Sequence, residues 1–277
     1  MPKIIFLDVD GTLVNYETQV PESAAEAVGL ARANGHQIYL VTGRARPEVP
    51  EVLWDLGIDG MIGGNGSYIE HNNQVIQALT LSKAECTEVV HWLTEQDLPF
   101  YLEANSGLYA SAEFDKKAQG AIEAYAAGKG NSGPTRIKVT DVLPGLIFGA
   151  DLNRDDVNKI SFKLNDYQDY LDAKAKFPHL KVGTWGGRGS HALFGDIGVP
   201  DIDKANAINV LLNHLETDQS QTIGVGDAAI DIPMLEFCDI AVAMGNSPDN
   251  VKAVADYITA DVDHNGLHQA FAHLGLI

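Results

Sequence analysis

The chain has 277 residues, with 38 Asp and Glu against 19 Lys and Arg, a formal net charge of −19. Its length suggests about two domains or one large one, and 45% hydrophobic with 21% charged residues excludes global disorder. The acid excess argues against nucleic acid or an anionic membrane as partner, because both need clustered Lys and Arg.

In chain order, the first predicted strand is residues 3–9 (KIIFLDV), an apolar run that ends on acids. A helix follows over 21–34 (PESAAEAVGLARAN), opened by Pro-Glu and stopped at Gly35. The next strand, 37–41 (QIYLV), ends on Thr42-Gly43; a helix is expected over 46–56 and a strand over 58–62, ending on GGNG. From about 82 the pattern changes to a helix (AECTEVVHWLTEQ), two strands (PFYLEA and GLYASA) and a helix (EFDKKAQGAIEAYAAG). A loop at 128–135 (GKGNSGPT) and a Gly-rich return link at 185–190 (WGGRGS) complete this stretch. Alternation then resumes with a helix over 203–215 and strands at 222–225 and 239–244, ending on Gly226-Asp227 and Gly245-Asn246.

Apolar runs of strand length alternating with helices predict an α/β fold built on a doubly wound parallel sheet. The middle stretch reads as an inserted α+β domain. The expected division is a core of residues 1–81 and 190–277 around an insert of 82–189. Two cysteines, Cys86 and Cys238, make no disulfide framework or zinc spacing. No apolar run approaches the roughly 18 residues of a membrane helix, and Asp8 arrives too early for a signal peptide. A cytoplasmic protein is expected.

In open α/β sheets, ligands bind beyond the carboxyl ends of strands. Asp8, Asp10, Thr42, Asn65, Asp227 and Asp231 all fall just past such an end. Asp8 and Asp10 would repel each other unless a cation intervenes. Asp227 alone reads as a helix N-cap; with Asp231 one helical turn on, the four acids form an expected cluster. Such a cluster demands a hard divalent cation, and its oxygen donors suit Mg²⁺. Thr42-Gly43-Arg44 offers a hydroxyl and backbone N–H groups to a phosphate. Lys204, opening a helix, reads equally as an exposed first-turn lysine or as a counter-charge reaching the strand tips.

DVDGTLV, LVTGR, Lys204 ahead of its helix, GDAAIDIPML and the stretch AVAMGNSPDNVKAVADYIT together resemble the haloacid dehalogenase-like phosphohydrolases. The likeness is to the Cof-type branch, which carries a large α/β cap between its second and third motifs, and it spans essentially the whole chain. It implies a Rossmann-like core, a mobile cap governing specificity, and Mg²⁺-dependent hydrolysis of small phosphate monoesters such as sugar phosphates. By resemblance, Asp8 is the nucleophile, forming an aspartyl-phosphate, and Asp10 the acid–base. Asp8 and Asp227 would hold Mg²⁺ by side chain and Asp10 by its carbonyl, with Asp231 bracing Asp227. Thr42, Gly43 and Lys204 would hold the phosphate.

The chain departs from the branch pattern G-D-G-x-N-D at Ala228 and Ile230. The first replaces a permissive glycine and the second an amide, while every charged position remains, so activity is expected. Whether Asp203 pairs with Lys204 is open. Residues 261–266 (DVDHNG) match half an EF-hand loop, but Ala272 stands where its bidentate Glu belongs, so a turn is expected. Trp185 and Arg188 are weaker candidates for substrate contact. Two further readings stand beside the phosphatase: a phosphomutase acting on sugar phosphates, and a non-catalytic protein that binds phosphorylated metabolites.

Overall fold

A computed structural model describes residues 2–128, 137–187 and 189–277. Arg188, and the loop expected at 128–135 beyond Gly128, lie outside the described residues. The strands in chain order are β1 (Ile4–Leu7), β2 (Gln37–Val41), β3 (Gly60–Gly63), β4 (Tyr68–His71) and β5 (Gln74–Ala78). They continue as β6 (Phe100–Ala104), β7 (Gly107–Ala110), β8 (Leu146–Phe148), β9 (Val157–Lys163), β10 (Lys181–Trp185) and β11 (Phe194–Gly198). The last are β12 (Thr222–Gly226), β13 (Ile240–Ala243) and β14 (Tyr257–Ile258).

Contacts divide the chain into two compact units. One comprises Met1–Gly43, Pro50–Ala78 and Ile202–Ile277, the other Arg44–Val49 and Leu79–Asp201. The first unit holds an eight-stranded sheet in the order β14-β13-β12-β1-β2-β3-β4-β5. It is parallel from β14 to β3, and β4 and β5 are added antiparallel. All four residues of β1 are buried, as a strand covered on both faces requires. Ile4 and Phe6 join Tyr39, Val41, Ile208, Leu211 and Met234 in one core, so the helices Lys204–His214 and Ile232–Phe237 cover that face. Right-handed crossovers that leave β1 and β12 in opposite directions put their helices on opposite faces. The helix Glu22–Ala33, packed on Gly266–His273, therefore takes the other.

The second unit carries a six-stranded sheet, β10-β11-β9-β6-β7-β8, antiparallel except for β7 against β8. Alternation decides its faces. Phe100, Leu102, Ile160, Phe162 and Ile197 point into a core with Cys86, Val89, Leu93 and Ala173, from the helices Lys83–Glu95 and Tyr167–Lys176. The opposite face carries Tyr101, Glu103, Lys159, Ser161 and Asp196, aligned by register. Glu103 bonds Lys159 at 3.1 Å and accepts from Ser161 at 2.7 Å. Burial and the nearby Glu103 push the carboxyl of Glu48 up to about 8. A carboxyl raised on folding binds extra protons in the folded state, so its favourable contribution is complete in acid and fades as pH climbs from about 4.5 to about 8. The variant Glu48→Gln should therefore flatten the fall in melting temperature between pH 5 and 8, which calorimetry across that range measures.

Three elements differ from the sequence reading. The helix expected over 46–56 is a 3-10 turn at Arg46–Glu48 and a short helix at Glu51–Trp54, because Pro50 lacks the N–H that a continuous helix needs. β4 and β5 form a hairpin whose turn residues Asn72 and Asn73 have φ of 48° and 62°, as a tight turn of this type prefers. β11 lies beyond residue 190 yet pairs with β9 and β10 in the second sheet, so the units change over at 201/202. Among the described residues no helix is long and apolar enough to cross a membrane.

Candidate active site

Asp8 follows β1 directly and extends its ladder, with its N–H donating to Val225 O at 3.0 Å. The chain then folds tightly: Val9 O accepts from the N–H groups of Leu13 and Val14, and Gly11 N–H donates to Val14 O at 2.7 Å. Gly11 has a φ of +95°, and a Cβ there would collide with Asp227 Oδ2 and Tyr16 Oη. Only glycine fits.

Lys204 opens the helix Lys204–His214 and is only 1% exposed. Its Nζ donates to Asp8 Oδ1 at 2.8 Å, to Val41 O at 2.7 Å and to Asp231 Oδ1. The exposed first-turn alternative is thus excluded. Asp203 turns instead to its own helix, accepting from Asn206 N–H at 2.7 Å as an N-cap. Asp231 Oδ2 accepts from the N–H groups of Asp227 and Ala228, at 3.1 and 2.9 Å. Both oxygens of Asp231 are therefore engaged, which pins the loop carrying Asp227.

One oxygen each from Asp8, Asp227 and Asp231 lie within 4.8 Å of one another, all three residues buried. Among the described residues, the gathered group is these three acids rather than four. Asp10, two residues beyond Asp8, forms a backbone bridge with Val14. Burial, reinforced by Asp231, pushes the Asp8 carboxyl well above the usual carboxylate range, and Lys204 opposes that rise. Burial works against the charge on Lys204, yet Asp231 and Asp8 overrule it and hold its pKa above the ordinary value. Three carboxylates against one ammonium leave an excess of negative charge with oxygen donors only, a set that fits a hard divalent cation.

Thr42 is buried beyond β2, its N–H donating to Ile62 O at 2.9 Å and its carbonyl accepting from Asn65 N–H at 2.9 Å. The Asn65 amide lies against Gly43, so the turns after β2 and β3 are tied together. Ala228 adopts φ −112° and ψ 160°, an extended conformation open to any residue, so the missing glycine costs nothing. Ile230 is 48% exposed. Trp185 is spent on packing, stacked on Phe194 at 4.1 Å and donating to Ser161 Oγ at 3.2 Å.

Two residues to which the sequence reading gave no role enter this site. Tyr16 Oη donates to Asp227 Oδ2 at 2.8 Å. Burial and the adjoining Asp227 hold the Tyr16 phenol well above its ordinary range, so it remains a donor. Asn246 Nδ2 donates to Gly11 O at 2.9 Å and Tyr16 Oη at 3.1 Å. Asn246 follows a strand end, the same signal that marked Asp8 and Asp227. Tyr16 has no such signal.

A sequence-family model described as haloacid dehalogenase-like hydrolase matches residues 5–271. The chain belongs to this family. Among named proteins, it is 25% identical over 287 residues to phosphatase YwpJ of Bacillus subtilis (strain 168), covering 98% of the chain and 99% of the relative. It is 25% identical over 273 residues to 5-amino-6-(5-phospho-D-ribitylamino)uracil phosphatase YcsE of the same organism, covering 98% and 95%. Among solved structures, the haloacid dehalogenase subclass IIB sugar phosphatase BT4131 superposes with a TM-score of 0.77 at 25% identity, covering 99% of this chain and all of that one. The α/β class with a parallel sheet and a second sheet is thus the fold of the family.

Proposed function

We propose that the protein is a Mg²⁺-dependent phosphatase that hydrolyses small phosphate monoesters through an aspartyl-phosphate on Asp8. The observation that carries this reading is the contact of the buried Lys204 ammonium with Asp8, 2.8 Å, within the group Asp8, Asp227 and Asp231. Lys204 draws the Asp8 carboxyl back toward the ionised form that burial disfavours, and an ionised carboxylate is what nucleophilic attack needs. Asp8, Asp227 and the Asp10 carbonyl would hold the cation. When bound, Mg²⁺ supplies positive charge that offsets the acids and stabilises charge on the phosphate oxygens.

In the first step an Asp8 oxygen attacks phosphorus, the ester P–O bond breaks, and the Asp10 carboxyl gives its proton to the departing alkoxide. In the second, the Asp10 carboxylate takes a proton from water. The water oxygen attacks phosphorus, the bond to Asp8 breaks, and phosphate leaves. The Thr42 hydroxyl, the Gly43 N–H and Lys204 bind the phosphate. Asp231 keeps Asp227 and Lys204 in place through bonds to both.

The substrate class we assign is a phosphorylated sugar or polyol. YcsE is named for a phosphoribitylamino compound and BT4131 for sugar phosphates. Because the assigned chemistry falls within the first unit, we give choice of leaving group to the inserted unit, as a cap. The location we propose is cytoplasmic.

Phosphate release from a panel of hexose, pentitol and aryl phosphates tests this reading. Turnover is expected in Mg²⁺, loss in excess EDTA, and recovery when Mg²⁺ is restored. Failure to release phosphate from any member of the panel in Mg²⁺ would sink it.

A further inference from the structure

Asp227 is gripped on one oxygen by two residues to which the sequence reading gave no role. Its Oδ2 accepts from Tyr16 Oη at 2.8 Å and from Asn246 Nδ2 at 3.3 Å. Each donor is itself anchored. Tyr16 sits in a turn whose Asn15 side chain accepts from the N–H groups of Glu17 and Gln19, at 3.1 and 2.9 Å, and donates to Asp263 at 2.9 Å. The Asn246 amide is aligned by Val262 N–H, which donates to its Oδ1 at 3.1 Å. Gly11 has no Cβ, which lets the backbone pass close enough to Asp227 and Tyr16 for this contact.

We infer that Tyr16 and Asn246 are positioning residues which clamp Asp227 Oδ2 and so hold that carboxylate to one-oxygen coordination, selecting Mg²⁺ over Ca²⁺. The inference rests on the cation reading above. Mg²⁺ takes a compact octahedral shell at about 2.0–2.1 Å, whereas Ca²⁺ accepts six to eight oxygens at about 2.3–2.6 Å and welcomes bidentate carboxylates. A carboxylate with one oxygen committed to two fixed donors cannot easily swing both oxygens onto a larger ion. Removing a donor frees that motion, so it penalises Mg²⁺ and spares Ca²⁺. Partners that orient ligands in this way typically change metal affinity about 10–100-fold when lost.

The test is titration calorimetry of Mg²⁺ and of Ca²⁺ into the full-length protein, as wild type, Tyr16→Phe, Asn246→Ala and Asp227→Asn. Tyr16→Phe keeps the ring and removes only the hydroxyl. If it does not fold, judged by its circular dichroism and melting curve, Asn246→Ala carries the test. The expected result is Mg²⁺ binding weakened about 10-fold with Ca²⁺ binding changed by much less, so that the Mg²⁺/Ca²⁺ preference falls. Equal weakening of both ions, or unaltered Mg²⁺ binding, overturns the clamp. The cation reading is judged separately: it stands if wild type binds Mg²⁺ and Asp227→Asn loses it, whatever Tyr16 does. If wild type binds neither ion, both ideas fall.

Discussion

Replacing Asp8 by asparagine is expected to abolish phosphate release while leaving the fold as stable as before, or more so. The amide is no nucleophile, so turnover should fall by at least about 10³-fold, a barrier increase of roughly 4 kcal/mol or more. Stability should move the other way. Burial, Asp231 and Asp227 all disfavour a charge at position 8. A carboxyl whose folded-state pKa is raised destabilises the fold at neutral pH relative to acid, and a neutral amide removes that penalty. Lys204 keeps Asp231 and the Val41 carbonyl as partners. Phosphate release in Mg²⁺ checks the first half, and melting temperature without added metal checks the second. Retention of a tenth of the activity would remove Asp8 from its assigned role.

Lys204→Met is expected to damage both activity and fold. The ammonium is 1% exposed and lies between Asp8 and Asp231. Removing one member of a buried charge group and leaving the others unpaired typically costs about 3–5 kcal/mol. For a protein of this size that corresponds to a melting temperature lower on the order of 10 °C. Mg²⁺ should recover part of the loss, because a ligand that binds the folded state stabilises it by mass action. Lys204→Arg should not rescue activity, since a planar guanidinium cannot reproduce three divergent bonds from one buried nitrogen. Thermal melts with and without Mg²⁺ measure the effect. A melting temperature within a degree or two of wild type would mean that the buried ammonium is not what balances these acids.

The parallel sheet was legible because its strands are short apolar runs, each ending on a polar turn. The rule that ligands gather beyond such ends then found Asp8, Thr42, Asp227 and Asp231. Asp10 was placed in the same cluster because it stands two residues from Asp8. A strand would carry both side chains to one face, but β1 ends at Leu7 and the chain turns from Val9 onward, so a spacing of two does not set where Asp10 lies. Lys204 was undecided for a different reason. The local signal, an Asp203 cap and a first-turn position, is compatible with exposure; its burial depends on two strand tips remote in sequence. Tyr16 was missed outright, since its partner Asp227 is 211 positions away and a tyrosine in a turn carries no periodicity. Pro50, by contrast, announced the break in the helix expected over 46–56, which the apolar pattern overrode. β11 escaped because a Gly-rich link suggested a return to the first sheet one strand too soon.

The position of β1 in its sheet governs the order in which the site is made. β1 lies between β2 and β12, and its pairing with β12 joins Ile4 to Thr222. Contacts so distant in sequence are slow to form, because the loop between them must close first. During synthesis, β1 and β2 emerge with the β12 side of the apolar β1 uncovered, a hazard for association with other chains. The second unit, nearly all of it within Leu79–Asp201, can fold while that edge waits. Only when Thr222–Gly226 arrives do Asp227 and Asp231 reach Asp8, so the nascent chain acquires its candidate catalytic centre late. Phosphate release would then report completed folding, and ribosome-stalled chains ending before residue 222 should have none.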